Sequence, residues 1–223
     1  MDLNITITSD FICPWCFVGE RRLARALADL PDGINVRLNW KPFELNPDMD
    51  SAGMDRRLYR TLKFGSWERS QLMDAHTVEA SKGEGIVFNY AAMEKTPNTF
   101  LAHRLMKLAE QEGKAIQMAN ALFSAYFQQG RDIGDAVVLT DVAVEVGVQR
   151  EQAKTYLSGD AGAEEVRADE REAHVKGVRS VPFFDISGDG VMSGAQSPEQ
   201  FKAAVLRAAK AMDGCANGAC AIV

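Results

Sequence analysis

The reading of this chain turns on one stretch near its start, Leu3-Asn4-Ile5-Thr6-Ile7-Thr8-Ser9-Asp10-Phe11-Ile12-Cys13-Pro14-Trp15-Cys16-Phe17-Val18-Gly19. Residues 3–9 alternate apolar and polar with β-branched side chains, the pattern of a strand. Asp10-Phe11-Ile12 makes a short turn. From Pro14 the period changes, with Phe17, Leu23, Leu27 and Leu30 apolar and Glu20, Arg21, Arg22 and Arg25 between them. Proline suits a first helical turn, where its missing N–H costs nothing. Pro31-Asp32-Gly33 stops the helix, and residues 34–40 alternate again as a second strand. The outcome is a β-α-β unit with two cysteines at the carboxyl end of its first strand. Reaction sites of α/β sheets gather at that edge.

Outward from this unit, helical periodicity runs from about Met54 to Lys176 with no convincing strand. Helices are expected near 67–82, 98–112, 115–129, 140–146, 150–158 and 161–176. Leu101, Leu105 and Leu108 share one helix face. Strand signals return at Pro182-Phe183-Phe184-Asp185-Ile186 and, after a Ser187-Gly188-Asp189-Gly190 turn, at Val191-Met192-Ser193. Ser197, Pro198 and Gln200 open a last helix as a capping box. The fold class is therefore α/β, with a large all-helical insertion between β-α-β and β-β-α halves. Residues 1–46 and 177–212 form the sheet domain, 47–176 the helical insertion, and 213–223 a tail.

Composition narrows the function classes. Of 223 residues 46% are hydrophobic and 25% charged, and the net charge is −6, so the chain is globular and repels phosphate backbones. Nucleic acid is not expected as a partner. No apolar run approaches the length that spans a bilayer, so no membrane is expected either. Met1-Asp2-Leu3-Asn4 lacks the basic and apolar regions of a signal peptide, and a cytoplasmic location is expected. In that compartment the four cysteines, 13, 16, 215 and 220, point to catalysis, redox sensing or metal binding before structural disulfides.

Cys13-Pro14-Trp15-Cys16 places two sulfurs at the start of a helix, close enough to bridge. Unpaired N–H groups and the helix dipole favour the thiolate of the first, which is expected to face solvent. Such thiols have pKa values lowered to roughly 3.5–7.5. Cys13 is then the nucleophile that forms a mixed disulfide, and Cys16 the resolving thiol. A zinc site needs four ligands, and His76, His103 and His174 stand at no regular spacing from the cysteines, so no metal is assigned. Trp15 should sit on the exposed rim beside Cys13 and contact substrate. Asp10 reads as a turn or capping residue. Glu44 is a weak candidate for the same edge. His103 points away from the leucine stripe, where it would contact substrate or face solvent, and the structural reading is preferred. Arg21, Arg22 and Arg25 read as a solvated helix face.

The run Ser9–Gly19 resembles the opening of the DsbA-like thioredoxin family, and more narrowly its FrnE-type branch. That branch shares its fold with 2-hydroxychromene-2-carboxylate isomerases and kappa-class glutathione transferases. Pro42-Phe43-Glu44-Leu45-Asn46-Pro47, Asn98-Thr99-Phe100-Leu101-Ala102-His103-Arg104-Leu105, Gly177-Val178-Arg179-Ser180-Val181-Pro182-Phe183-Phe184 and Ser193-Gly194-Ala195-Gln196 add to the likeness, which spans nearly the whole chain. The resemblance implies a thioredoxin fold carrying a helical insertion, a cis Val181–Pro182 bond beside Cys13, and a substrate backbone paired to Val181. The isomerase and transferase relatives typically carry Ser where this chain has Cys13. An internal dithiol moves the expectation to disulfide exchange.

The tail, Gly214-Cys215-Ala216-Asn217-Gly218-Ala219-Cys220, has a helix stop at Gly214 and a hairpin signal at Asn217-Gly218. That hairpin would face Cys215 with Cys220 within disulfide reach. Three readings stay open: a secondary redox pair feeding Cys13–Cys16, half a zinc site, or idle thiols.

The sequence thus predicts a dithiol–disulfide oxidoreductase or isomerase acting on protein or small-molecule disulfides. It requires no metal or organic cofactor, with glutathione as a conceivable co-reductant. Two alternatives stand beside it: a glutathione-dependent isomerase or transferase on a small aromatic substrate, and a redox- or zinc-switched chaperone.

Overall fold

The computed structural model describes residues 2–216. Its centre is a four-stranded sheet in the order β2-β1-β5-β6, made of β1 (Asp2–Ser9), β2 (Asn35–Pro42), β5 (Phe183–Ile186) and β6 (Gly190–Ser193). β1 pairs parallel to β2, with Ile5 opposite Leu38 and Ser9 opposite Pro42. It pairs antiparallel to β5, with Ile7 opposite Phe184, and β5 turns back on β6. The alternation of β1 buries Leu3, Ile5 and Ile7, and α1 (Pro14–Ala28) and α9 (Pro198–Ala216) accompany the sheet. α9 continues two residues past Gly214, where the sequence predicts a stop. The sulfur of Cys215, all of Cys220 and the hairpin at Asn217-Gly218 lie outside the described residues.

Between β2 and β5 lie α2 (Arg56–Phe64), α3 (Trp67–Ala80), α4 (Phe100–Gln111), α5 (Ala115–Phe127), α6 (Ala136–Glu145), α7 (Arg150–Ser158) and α8 (Ala163–Val175). Three features differ from the sequence reading. A two-residue antiparallel pair, β3 (Met54–Asp55) with β4 (Lys95–Thr96), ties the start of this segment to its middle. No helix is predicted over 56–64, yet α2 forms there, because Asp55 caps the N–H of Leu58 at 2.8 Å and Gly65 ends it with φ +91°. Helix α6 starts at Ala136 rather than near 140, since the Asp135 carboxylate accepts the N–H groups of Val137 and Val138.

A run of aromatic rings joins the two parts. Phe17 of α1 stacks on Phe123 at 5.1 Å and on Phe127 at 6.0 Å between centroids. Phe11, in the turn after β1, meets Phe123 at 5.1 Å. Aromatic pairs at such distances add about 0.5–1.5 kcal/mol each beyond the area they bury. Through these rings the helical segment fixes the turn that carries the cysteines.

Candidate active site

Cys13 closes the turn after β1 and opens α1. Its N–H donates to the Asp10 carbonyl at 3.0 Å, and its carbonyl accepts the N–H of Cys16 at 3.1 Å. Its extended backbone, with φ −91° and ψ 112°, serves as the N-cap, followed by Pro14. Both thiols are free. The expectation of a solvent-facing Cys13 sulfur is corrected here: Cys13 is 6% exposed and Cys16 2%. The cover comes from Val181, whose carbonyl accepts the Cys13 S–H at 3.8 Å across 168 residues of chain. The Val181–Pro182 peptide is cis. Burial pushes the Cys16 thiol well up, and its hydrogen bond to Cys13 adds to this, while Ser9 and the Asp10 backbone oppose it.

The proline loop is pinned from behind. The Pro182 carbonyl accepts the N–H of Gly194 at 2.8 Å. Arg22 of α1 donates to the Ala195 carbonyl at 2.7 Å, to the Ala80 carbonyl at 2.7 Å and to the Glu84 carboxylate at 2.9 Å. Arg25 reaches the same carboxylate at 2.7 Å, and the Arg21 guanidinium sits 5.2 Å over the Phe17 ring. Arg22 is therefore a fastener between α1, the end of α3 and the loop after β6 rather than part of a solvated face, while Arg25 stays exposed. Gly19 lets the loop approach, since a Cβ there would stand 3.1 Å from Pro182 Cγ and 3.2 Å from Phe184 Cζ.

Trp15 is half-buried, its indole meeting the His76 ring edge-on at 5.4 Å. Beneath the turn lies a layer of buried polar groups. The Asp10 carboxylate accepts the N–H of Leu45 at 2.7 Å and stands 3.5 Å from His103 Nε2. His103 is 3% exposed with its ring 5.1 Å from that of Phe11, so it does not face solvent. The single-stripe reading of α4 fails because Ala102 through Met106, Leu108 and Ala109 are all buried. Glu44 pairs with Arg167, and burial beside Glu170 pushes its carboxyl up to about 7. Glu20, one turn past Cys16, has no hydrogen-bond partner at Oε2 among the described residues. Burial pushes its carboxyl up to about 7 as well. The sequence reading missed Gly19, Glu20, Arg22 and Arg167 as site residues. Only the position of Glu20, four residues past Cys16 on the same helix face, offered a signal.

Comparison with known proteins agrees with this geometry. The model of the DsbA-like thioredoxin domain matches residues 4–206. The chain belongs to the DsbA-like thioredoxin family. Among solved DsbA-like structures, it is similar to a probable DsbA oxidoreductase of Streptomyces coelicolor, 33% identical, with a TM-score of 0.85 over 93% of this chain and 90% of that one. The cytosolic disulfide reductase DsbM of Pseudomonas aeruginosa shares the fold at 19% identity and a TM-score of 0.67, over 93% of this chain and 99% of that one. The uncharacterized protein YwbO of Bacillus subtilis (strain 168) is 29% identical over 92% of this chain and 96% of its own. As a DsbA-like protein the chain is a thiol oxidoreductase by family. Among its described residues no helix is long and apolar enough to cross a membrane, and no group of three or more His, Cys, Asp or Glu side chains is placed to hold a metal ion.

Proposed function

We propose that the protein is a dithiol–disulfide oxidoreductase or isomerase in which Cys13 attacks and Cys16 resolves. The observation that carries this reading is the pair of free thiols at the start of α1 with the Val181 carbonyl set against the Cys13 sulfur. The Cys13 thiolate attacks one sulfur of a substrate disulfide; that S–S bond breaks and one thiolate leaves. Cys16, as thiolate, then attacks the Cys13 sulfur and releases the second substrate thiol. Two electrons pass from the dithiol to the substrate, and the two protons go to the released thiolates. An incoming substrate strand displaces the Cys13 contact and pairs with the Val181 backbone, and Trp15 flanks it. The reaction needs no metal or organic cofactor, and two equivalents of a small thiol such as glutathione return the electrons. Cys215 and Cys220 act in this scheme as a secondary redox pair that feeds electrons to Cys13–Cys16.

Insulin reduction with dithiothreitol tests it, comparing wild type with Cys13→Ser and Cys16→Ser. Turnover by wild type that Cys13→Ser abolishes supports the dithiol mechanism. Turnover indifferent to Cys13 overturns it. Full activity in the Cys215→Ser, Cys220→Ser double variant removes the tail from the scheme.

A further inference from the structure

A cavity of about 90 Å³ opens beside the dithiol. Ile12 and Pro14, on either side of Cys13 in sequence, form one wall, and Arg56, Arg60 and Lys63 of α2 form another. The rest of the lining is apolar or aromatic apart from Thr96, and it contains no carboxylate.

The charge account of this wall does not close. Asp74 is the counter-ion of both arginines, bonded to Arg56 and to Arg60 at 2.5 Å each. Lys63 is held by neutral oxygens, the Tyr59 hydroxyl at 2.5 Å and Asn46 Oδ1 at 3.2 Å. Three cations against one carboxylate leave a local positive surplus in a chain whose net charge is −6. Arg60 spends Nε on Ser70 and Nη2 on Ser70 and Asp74, and its Nη1 has no partner among the described residues. Burial, with the nearby Arg56 charge, holds the Arg60 guanidinium below its ordinary pKa despite Asp74. Arg56 and Arg60 are largely withdrawn from water and share the one carboxylate of Asp74, while Lys63 stands at the solvent edge of the same wall, so a ligand carboxylate entering there meets a surplus of cationic donors.

Size limits what enters. A water molecule occupies about 30 Å³ of liquid, so the cavity takes a carboxylate and a short apolar or ring-edge span, not a folded chain. We propose that it is an anion subsite of the dithiol centre, and that the preferred substrates are low-mass disulfides bearing a carboxylate close to the sulfur. This rests on the dithiol reading above. The carboxylate lies on Arg60 and Lys63, the apolar span lies against Ile12, and the disulfide reaches Cys13. The reduced dithiol supplies two electrons, the substrate S–S bond breaks, a Cys13–Cys16 bond forms, and two thiols leave with the two protons.

The test uses pre-reduced protein and two chromogenic disulfides, dianionic dithiobis(nitrobenzoate) and neutral dithiodipyridine, in single turnover. Lys63 is solvent-exposed, so Lys63→Gln removes its charge without disturbing the core. The anionic-to-neutral rate ratio is expected to fall about tenfold in this variant, and Lys63→Arg is expected to restore it. Lys82→Gln, which removes an equal charge outside the cavity, should leave the ratio at the wild-type value. Nitrobenzoate, which cannot exchange, should slow the anionic probe competitively in wild type. A ratio unchanged in Lys63→Gln, or lowered equally by Lys82→Gln, overturns the subsite. Insulin turnover separates the two proposals: intact insulin turnover with no charge preference refutes the subsite alone. A charge preference in alkylation of Cys13 with no disulfide turnover refutes the dithiol reading alone.

Discussion

Glu20→Gln should make the protein more stable at neutral and alkaline pH, and the gain should vanish in acid. Glu20 is buried with one carboxylate oxygen unpaired, and burial raises its pKa from an ordinary 4.5 to about 7. The folded state therefore holds a proton that the unfolded chain has already lost across that interval. Below 4.5 both states are protonated and the group costs nothing. As pH rises to about 7 the folded state must either keep its proton or bury a charge, and stability falls. Above about 7 the loss is complete. At about 1.4 kcal/mol per pH unit, this interval amounts to about 3 kcal/mol, a large part of the 5–15 kcal/mol by which a domain of this kind is stable. Glutamine keeps the shape and cannot ionise. Urea unfolding of the reduced proteins at about pH 4 and about pH 8 reads the effect as a difference between variant and wild type. Any cost of the buried amide is the same at both pH values and drops out. A variant-minus-wild-type stability that does not change with pH would refute the argument, because it would mean that Glu20 is solvated or paired.

Two further predictions follow from the same neighbourhood. Gly19→Ala puts a methyl within 3.1 Å of Pro182 Cγ. It should cost about 1–3 kcal/mol by overpacking and raise the KM for insulin by pushing the Val181 carbonyl off Cys13; an unchanged KM with lowered stability would confine the effect to packing. Because burial holds the Cys16 thiol up, a mixed disulfide between Cys13 and a small thiol should decay faster as pH is raised from about 6 to about 9. It should persist in Cys16→Ser. Decay at one rate across that range would show that Cys16 deprotonation does not limit resolution.

Much of the frame was legible because local rules acted alone. Alternation marked β1 and β2, Pro14 marked the start of α1, and the helices 100–111 and 115–127 carried clear apolar periods. Helix α2 escaped because it is rich in arginine and lysine, and its leucines, Leu58 and Leu62, are left exposed. It forms on the strength of its caps instead. The dithiol was legible from spacing, but its surroundings were not. Asp10 meets Leu45 across 35 residues, Glu44 meets Arg167 across 123, and Arg22 meets Ala195 across 173. Polar residues read singly are assigned to solvent. Only their distant partners bury them, and a lone sequence does not say which pairs meet.

The contact between Cys13 and Val181 also has a consequence for synthesis. At about 5–20 residues per second, the 168 residues that separate them take a ribosome roughly 8–34 seconds to add. β1 must wait as long for β5, its antiparallel neighbour. For that interval the nascent chain presents the Cys13 thiol without the segment that later covers it. Oxidants, alkylating agents and other nascent thiols have their best access then, before Val181 reaches Cys13.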